Sequence, residues 1–215
     1  MATVLPFTSA TWASTVMPVR RVLDRHGVLA LPTETYYGLG VRPTDEEALR
    51  RLQEVKGRPA DKPILVLIGH RDQLASLVAA VPPAASLLIE RFWPGPLTII
   101  FPAAPALSRL LTAGSGTIGV RLPPLDHLQA LLRDVGPLTG TSANRSTEPP
   151  LEEAEAVARS MGQDLDLILD GGRTPGGPAS TLVDTVGSLR IVREGAVATV
   201  SLRAALAEQG YILSP

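Results

Sequence analysis

Three short segments bring together residue types that could do chemistry. In LPTETYYGLG (31–40) an apolar run meets a proline, the hydroxyls of Thr33 and Thr35, the carboxylate of Glu34, two tyrosines and two glycines. Polar groups at a strand end fit a binding site, and they equally fit a turn with capping threonines and packed tyrosines. In KGRPADKP (56–63) three cations, Lys56, Arg58 and Lys62, fall within seven residues on a turn framed by Gly57, Pro59 and Pro63. Arginine offers a two-pronged donor and lysine a movable point charge, so the cluster suits a polyphosphate, and the prolines reduce the entropy lost on ordering the loop. A solvated loop with Asp61 as local partner is the other reading. TGTSANRS (139–146) can present hydroxyls, an amide and backbone N–H groups to an anion or nucleotide. Arg121 in GVRLP and Arg193 in IVREG each end a β-like run, from which side chains of open α/β sheets reach a ligand pocket; surface arginines would read the same.

Several other chemistries have no support. His26, His70 and His127 lack metal-ligand spacing, and there is no cysteine for a thiolate site, a disulfide or a nucleophile. No G-x-S-x-G elbow, P-loop or G-x-G-x-x-G fingerprint occurs, so a nucleotide would be held by other means. The formal net charge is −1, and any grip on nucleic acid would have to come from a local basic patch. With no basic segment leading into an apolar run at the N-terminus, and no stretch of about 18 apolar residues, cytoplasm is the expectation and a membrane is not.

The elements that must position these residues alternate between short β-branched runs and longer amphipathic stretches, the pattern of an α/β chain. Strands are predicted at 28–31, 64–68, 97–101, 117–122, 166–169, 181–185 and 189–192. Helices are predicted at 19–26, 45–55, 73–81, 84–92, 125–133, 151–161 and 202–209. Thr44 and Glu47 have capping-box spacing at the start of the second helix, Gly57 ends it, and Pro18 suits a first helical turn. Prolines and glycines, 20 and 19 of them, concentrate between these elements as loops. The segment 171–179, GGRTPGGPA, reads as a mobile loop or a close backbone approach to a ligand. At 215 residues a single domain over 1–215 is expected.

In order, LPTETYYGLG, KGRPADKP, FWPGPLTIIF, IGVRLP, TSANRS, PASTLVD and IVREGAV resemble the YrdC/Sua5/TsaC family of threonylcarbamoyl-AMP synthases, from about Val28 to Val197. The resemblance implies a YrdC-like twisted, open, mixed α/β sheet with surrounding helices and a concave basic cavity. It also implies a reaction joining L-threonine, bicarbonate or CO2 and ATP, accompanied by Mg2+, to give threonylcarbamoyl-AMP and pyrophosphate. The product would serve the N6-threonylcarbamoyladenosine modification of tRNA, with tRNA and its transferase machinery as partners. Since the attacking group in this reaction belongs to the substrate, positioning and charge stabilisation would be the enzyme's task.

Carried onto this sequence, the resemblance assigns Thr35, Arg121 and Ser180 to threonine, with Arg121 on its carboxylate. Lys56 and Arg58 become the catalytic cations, and Arg58, Lys62, Thr117, Ser142, Asn144 and Arg193 the ATP contacts. Two departures from the family pattern stand out. Leu67 replaces a frequent histidine, and Thr147 replaces a glycine. Two alternatives are a module that binds double-stranded RNA or tRNA, and a related enzyme using another carbamoyl donor. The length fits the family's short, single-domain form.

Overall fold

The computed structural model describes residues 1–57, 62–146 and 148–214. The fold is mixed α/β, as expected, and its strands form two mixed sheets. The first has the order β1 (Thr3–Pro6), β9 (Leu167–Asp170), β2 (Leu29–Pro32), β3 (Tyr37–Gly40), β8 (Thr141–Ser142). The second has the order β11 (Arg190–Arg193), β10 (Thr181–Asp184), β5 (Leu97–Pro102), β6 (Thr117–Arg121), β4 (Val66–Leu67), β7 (Leu138–Thr139). Parallel and antiparallel pairings mix in both: β1, β9 and β2 run parallel, β2 and β3 antiparallel, β5 and β6 antiparallel, and β10 and β5 parallel.

Side chains alternate across the first sheet and so feed two apolar layers. Leu29, Leu31, Leu167 and Leu169 face helices α1 (Trp12–Leu23) and α5 (Asp126–Val135), meeting Val19, Leu23, Leu128, Leu131 and Leu132. Val28, Ala30 and Ile168 turn the other way, into the core shared with Ile99, Val120 and Val183 of the second sheet. Helices α2 (Glu46–Lys56), α3 (Pro83–Phe92), α6 (Ala154–Met161) and α7 (Thr199–Ala207) close that core, and α4 is the single turn Arg109–Thr112.

Four local readings change. Helix α1 starts at Trp12, so Pro18 lies inside it rather than in its first turn. Proline there has no N–H to give to the preceding turn, and the helix is held by the apolar face it packs on α5. The cap of α2 is Asp45, whose side chain accepts from Ala48 N at 3.1 Å, in place of the Thr44–Glu47 box. Gly57 does end the helix, in the left-handed conformation at φ 56°. The segment expected as a helix at 73–81 is a 3-10 helix, Arg71–Ser76. Gln73 is tied both to its cap and to Leu132 O at 2.7 Å, and Pro82 follows closely. Strands β1, β3, β7 and β8 are additional to those predicted; β1 is a largely exposed edge and β7 and β8 have two residues each.

The two sheets are joined at Gly140. β7 pairs with β4 of the second sheet, β8 pairs with β3 of the first, and one residue separates them. A Cβ at Gly140 would lie 2.6 Å from Leu67 Cγ, and Leu67 is completely buried. The same contact places Leu67 in the apolar core beneath this crossing, away from the polar surface that a histidine there would suggest. Gly140→Ala is therefore expected to lower the unfolding free energy by about 1–3 kcal/mol through overpacking, read by urea denaturation. A change under about 0.5 kcal/mol would show that Leu67 can yield.

Candidate functional site

A cavity of about 480 Å³ opens between one face of the second sheet and the turn joining β2 to β3. Its floor follows the two-residue period of the strands: Thr98 and Ile100 from β5, Thr117, Gly119 and Arg121 from β6, and Leu182 from β10. Register keeps these together, since Ile100 pairs with Gly119 and Leu182 with Thr98. Gly119 keeps the middle of the floor low; a Cβ there would already lie 3.3 Å from Thr98 Cγ2.

One wall is the 33–36 turn. Thr33 builds it, its hydroxyl donating to Tyr36 O at 2.7 Å and accepting from Thr35 N and Tyr36 N, both at 3.3 Å. That hydroxyl-closed turn holds Thr35 against the cavity, with Thr33 Oγ1 and Thr35 Oγ1 3.2 Å apart. The 171–179 loop is pinned to the same turn: Gly176 N donates to Thr35 O at 2.8 Å and the Tyr36 hydroxyl to Gly177 O at 2.7 Å. Tyr37 reaches under the loop, donating to Gly172 O at 2.8 Å and accepting from Gly171 N at 3.1 Å. A glycine-rich loop is thus tied down by three residues of one motif.

Arg121 rises from the end of β6 with only 4% of its surface exposed, and burial lowers its pKa despite the opposing pull of Glu34. Its Nη1 lies 3.1 Å from Glu34 Oε1. The pair is ionic by distance but poorly aligned: among the described residues neither Glu34 oxygen has a hydrogen-bond partner, and nor does Arg121 Nε. Nearby, Ser180 Oγ and Thr98 Oγ1 share a hydrogen bond of 2.8 Å. Arg193 lines the cavity and donates from Nη2 to Ser180 O at 2.9 Å and Oγ at 3.3 Å. The buried end therefore offers a guanidinium amid hydroxyls, a set matched to a small molecule bearing a carboxylate and a hydroxyl.

The other end is formed by residues 63–65, Thr117 and the 140–142 segment. Thr117 Oγ1 is 2.9 Å from Ser115 Oγ. Behind Ser142, Lys56 Nζ donates to Ser142 O at 2.6 Å and to Asn144 Oδ1 at 3.0 Å. Asn144 Oδ1 also accepts from Ser142 Oγ at 2.5 Å, and its Nδ2 donates to Arg145 O and Glu148 O. These bonds occupy the amide's donors and acceptor lone pairs and tie the end of α2 to the 141–148 segment.

The sequence-predicted residues thus fall into three groups. Thr35, Thr117, Arg121, Ser142, Ser180 and Arg193 share the cavity wall, whereas Lys56 and Asn144 brace the wall from behind, and Lys62 is exposed and off it. Arg58 and Thr147 lie outside the described residues. Thr98 and Gly119 were not singled out, and Glu34 was named in its motif without a role. Thr98 and Gly119 were findable from the two-residue period that Arg121 and Thr117 already set, whereas nothing local marks Glu34 as buried. Among the described residues no cluster of three or more histidine, cysteine or acidic side chains is arranged to hold a metal, and no helix is long and apolar enough to cross a membrane.

Residues 21–195 match the family model Sua5_yciO_yrdC, described as "Telomere recombination". A threonylcarbamoyl-AMP synthase of Pyrococcus abyssi is 40% identical over 73% of this chain and 46% of its own length. One of Bacillus subtilis is 38% identical over 86% of this chain and 54% of its own. The chain thus spans about half the length of these two curated relatives. The crystal structure of P. abyssi Sua5 complexed with L-threonine superposes with a TM-score of 0.89 at 32% identity, covering 100% of this chain and 62% of that one.

Burial pushes the Tyr37 phenol up to about 12. Its raised folded pKa means that its contribution to stability is complete below about pH 10, the unfolded value, and is lost as pH climbs toward 12. Ultraviolet titration of phenolate formation is expected to show a component near pH 12 that Tyr37→Phe removes. Ionisation of that component near pH 10 would contradict the burial of this hydroxyl beneath the glycine loop.

Proposed function

The chain belongs to the Sua5/YciO/YrdC family, and from that premise we propose that it is an L-threonylcarbamoyladenylate synthase, a nucleotidyltransferase that activates threonine for N6-threonylcarbamoyladenosine formation in tRNA. The observation that carries the reading is Arg121, buried at the end of the cavity among the hydroxyls of Thr35, Thr98 and Ser180. A planar guanidinium recognises a carboxylate by two parallel hydrogen bonds, and adjacent hydroxyls select a substrate that itself carries one.

In this reading threonine binds by its carboxylate to Arg121, with its hydroxyl toward Ser180, Thr98 and Thr35. Its neutral amine attacks the carbon of CO2 and loses a proton to give a carbamate. A carbamate oxygen then attacks the α-phosphorus of ATP, the bond from that phosphorus to the bridging oxygen breaks, and pyrophosphate leaves. No protein nucleophile is required, and the chain contributes alignment and positive charge. Thr117 and Ser142 line the end of the cavity where the nucleotide would lie, while Arg193, the other expected ATP contact, stands at the Ser180 end. Arg58 and Lys62 belong to the segment assigned to the triphosphate, and Lys56 and Asn144 would keep the Ser142 segment in place. Magnesium would arrive on the phosphates of ATP, and the Thr117 and Ser142 hydroxyls are hard oxygen donors compatible with such an ion.

The direct test is pyrophosphate release with each substrate omitted in turn. Release is expected only when threonine, bicarbonate and magnesium-ATP are all present; salt-dependent RNA binding without turnover would instead favour a binding module. In the same assay Arg121→Lys keeps the charge and loses the fork. The threonine KM is expected to rise by about ten- to a hundredfold, equivalent to about 1.5–3 kcal/mol for a charged hydrogen bond, with the ATP KM little changed. A rise in the ATP KM alone would place Arg121 in the nucleotide half of the cavity.

A further inference from the structure

Glu34 sits inside the motif that frames the cavity, yet it is not among the cavity-lining residues. Its side chain is 12% exposed, its two oxygens are sealed from solvent, and neither has a hydrogen-bond partner among the described residues. Buried carboxylates normally satisfy their lone pairs, and a structural salt bridge offsets its desolvation only with good geometry and additional hydrogen bonds. This pair has neither: Glu34 Oε1 meets Arg121 Nη1 at 3.1 Å off the hydrogen-bond direction, and Arg121 Nε is also unpartnered. An arrangement this costly for stability points to a functional constraint on the guanidinium.

Two features say what that constraint is. First, Arg121 carries its charge in a buried place with a second cation, Arg193, close enough to oppose it, and Glu34 is the acidic group that favours it. Second, Glu34, which does not line the cavity, contacts one terminal nitrogen of Arg121, which does. The backbone that carries Glu34 is fixed by the Thr33-closed turn, so the carboxylate reaches Arg121 from an anchored point on the chain. A glutamine in its place would keep the volume and remove the charge.

We propose that Glu34 is a positioning residue that holds the Arg121 guanidinium with its free edge toward the cavity, so that the carboxylate of an amino-acid substrate meets an already oriented donor. This rests on the reading of that end as the threonine site. It adds a role for the acidic residue of the PTET turn: orienting the buried cation without touching substrate.

The test uses Glu34→Gln and Glu34→Asp in the full chain. With 15N-labelled arginine, the Arg121 Nε–Hε signal, assigned by its loss in Arg121→Lys, is expected to be sharp in the parent. It should shift and broaden in Glu34→Gln and largely recover in Glu34→Asp. Calorimetric titration with L-threonine should show at least tenfold weaker binding for Glu34→Gln and an intermediate value for Glu34→Asp, with magnesium-ATP binding within about twofold of the parent. An unchanged Nε signal with unchanged threonine affinity overturns the proposal. So does equal weakening of both ligands with a lowered Tm, which would mark Glu34 as merely structural. If the parent binds no threonine, the synthase reading falls, and the Nε signal alone still decides whether Glu34 orients Arg121.

Discussion

Keeping one guanidinium almost out of water is the constraint on which the site depends. Removing a charge from solvent costs several kcal/mol unless something close compensates it, and at the short separations found here that compensation is strong only because water is excluded. Arg121 is delivered to the end of β6 by a register that also pairs the strand with β5, while Glu34 comes from a turn closed by the Thr33 hydroxyl. The two charges belong to different sheets. Correct pairing of each sheet, and correct packing of one against the other, are therefore preconditions for the ion pair.

The cavity is polarised along its length by the same architecture. At the deep end, hydroxyls of Thr35, Thr98 and Ser180 surround a cation, and Arg193 holds Ser180 by its carbonyl and hydroxyl. At the other end the wall is braced from within: Lys56 and Asn144 spend their polar groups on the 141–148 segment, which fixes the hydroxyl and backbone of Ser142. Between the ends, Gly119 leaves the floor open where any side chain would meet Thr98. The glycine-rich loop reaches the cavity at Ala179 and is held by backbone and tyrosine hydrogen bonds together with the pairing of Arg173 with Glu152 and Glu153.

Much of this was legible in the sequence, and the failures have physical causes. The motifs containing Thr35, Thr117, Arg121, Ser142, Ser180 and Arg193 do meet on one cavity, because polar side chains at strand ends in an α/β fold converge there. Lys56 was readable as a cation but not as a buried brace, since its partners lie more than 80 residues away. Glu34 was read only as one polar group of its motif, with no role of its own, for a similar reason: a carboxylate between two threonines looks solvated, and its partner Arg121 comes from β6. Strands β7 and β8 are too short to show alternation, and β1 lacks a buried face. The early start of α1 was hidden by a proline whose local cost is outweighed by tertiary packing.

Gly140 gives the molecule a particular kind of stiffness. The chain leaves one sheet at Thr139 and joins the other at Thr141, so the two sheets are tethered through a single residue, a span of no more than about 7 Å between the Cα atoms of the two threonines. They cannot part like the covers of a book at that seam without breaking a strand pairing. The width of that seam is accordingly limited by the two peptide units that flank Gly140, and Gly140 itself lines the cavity.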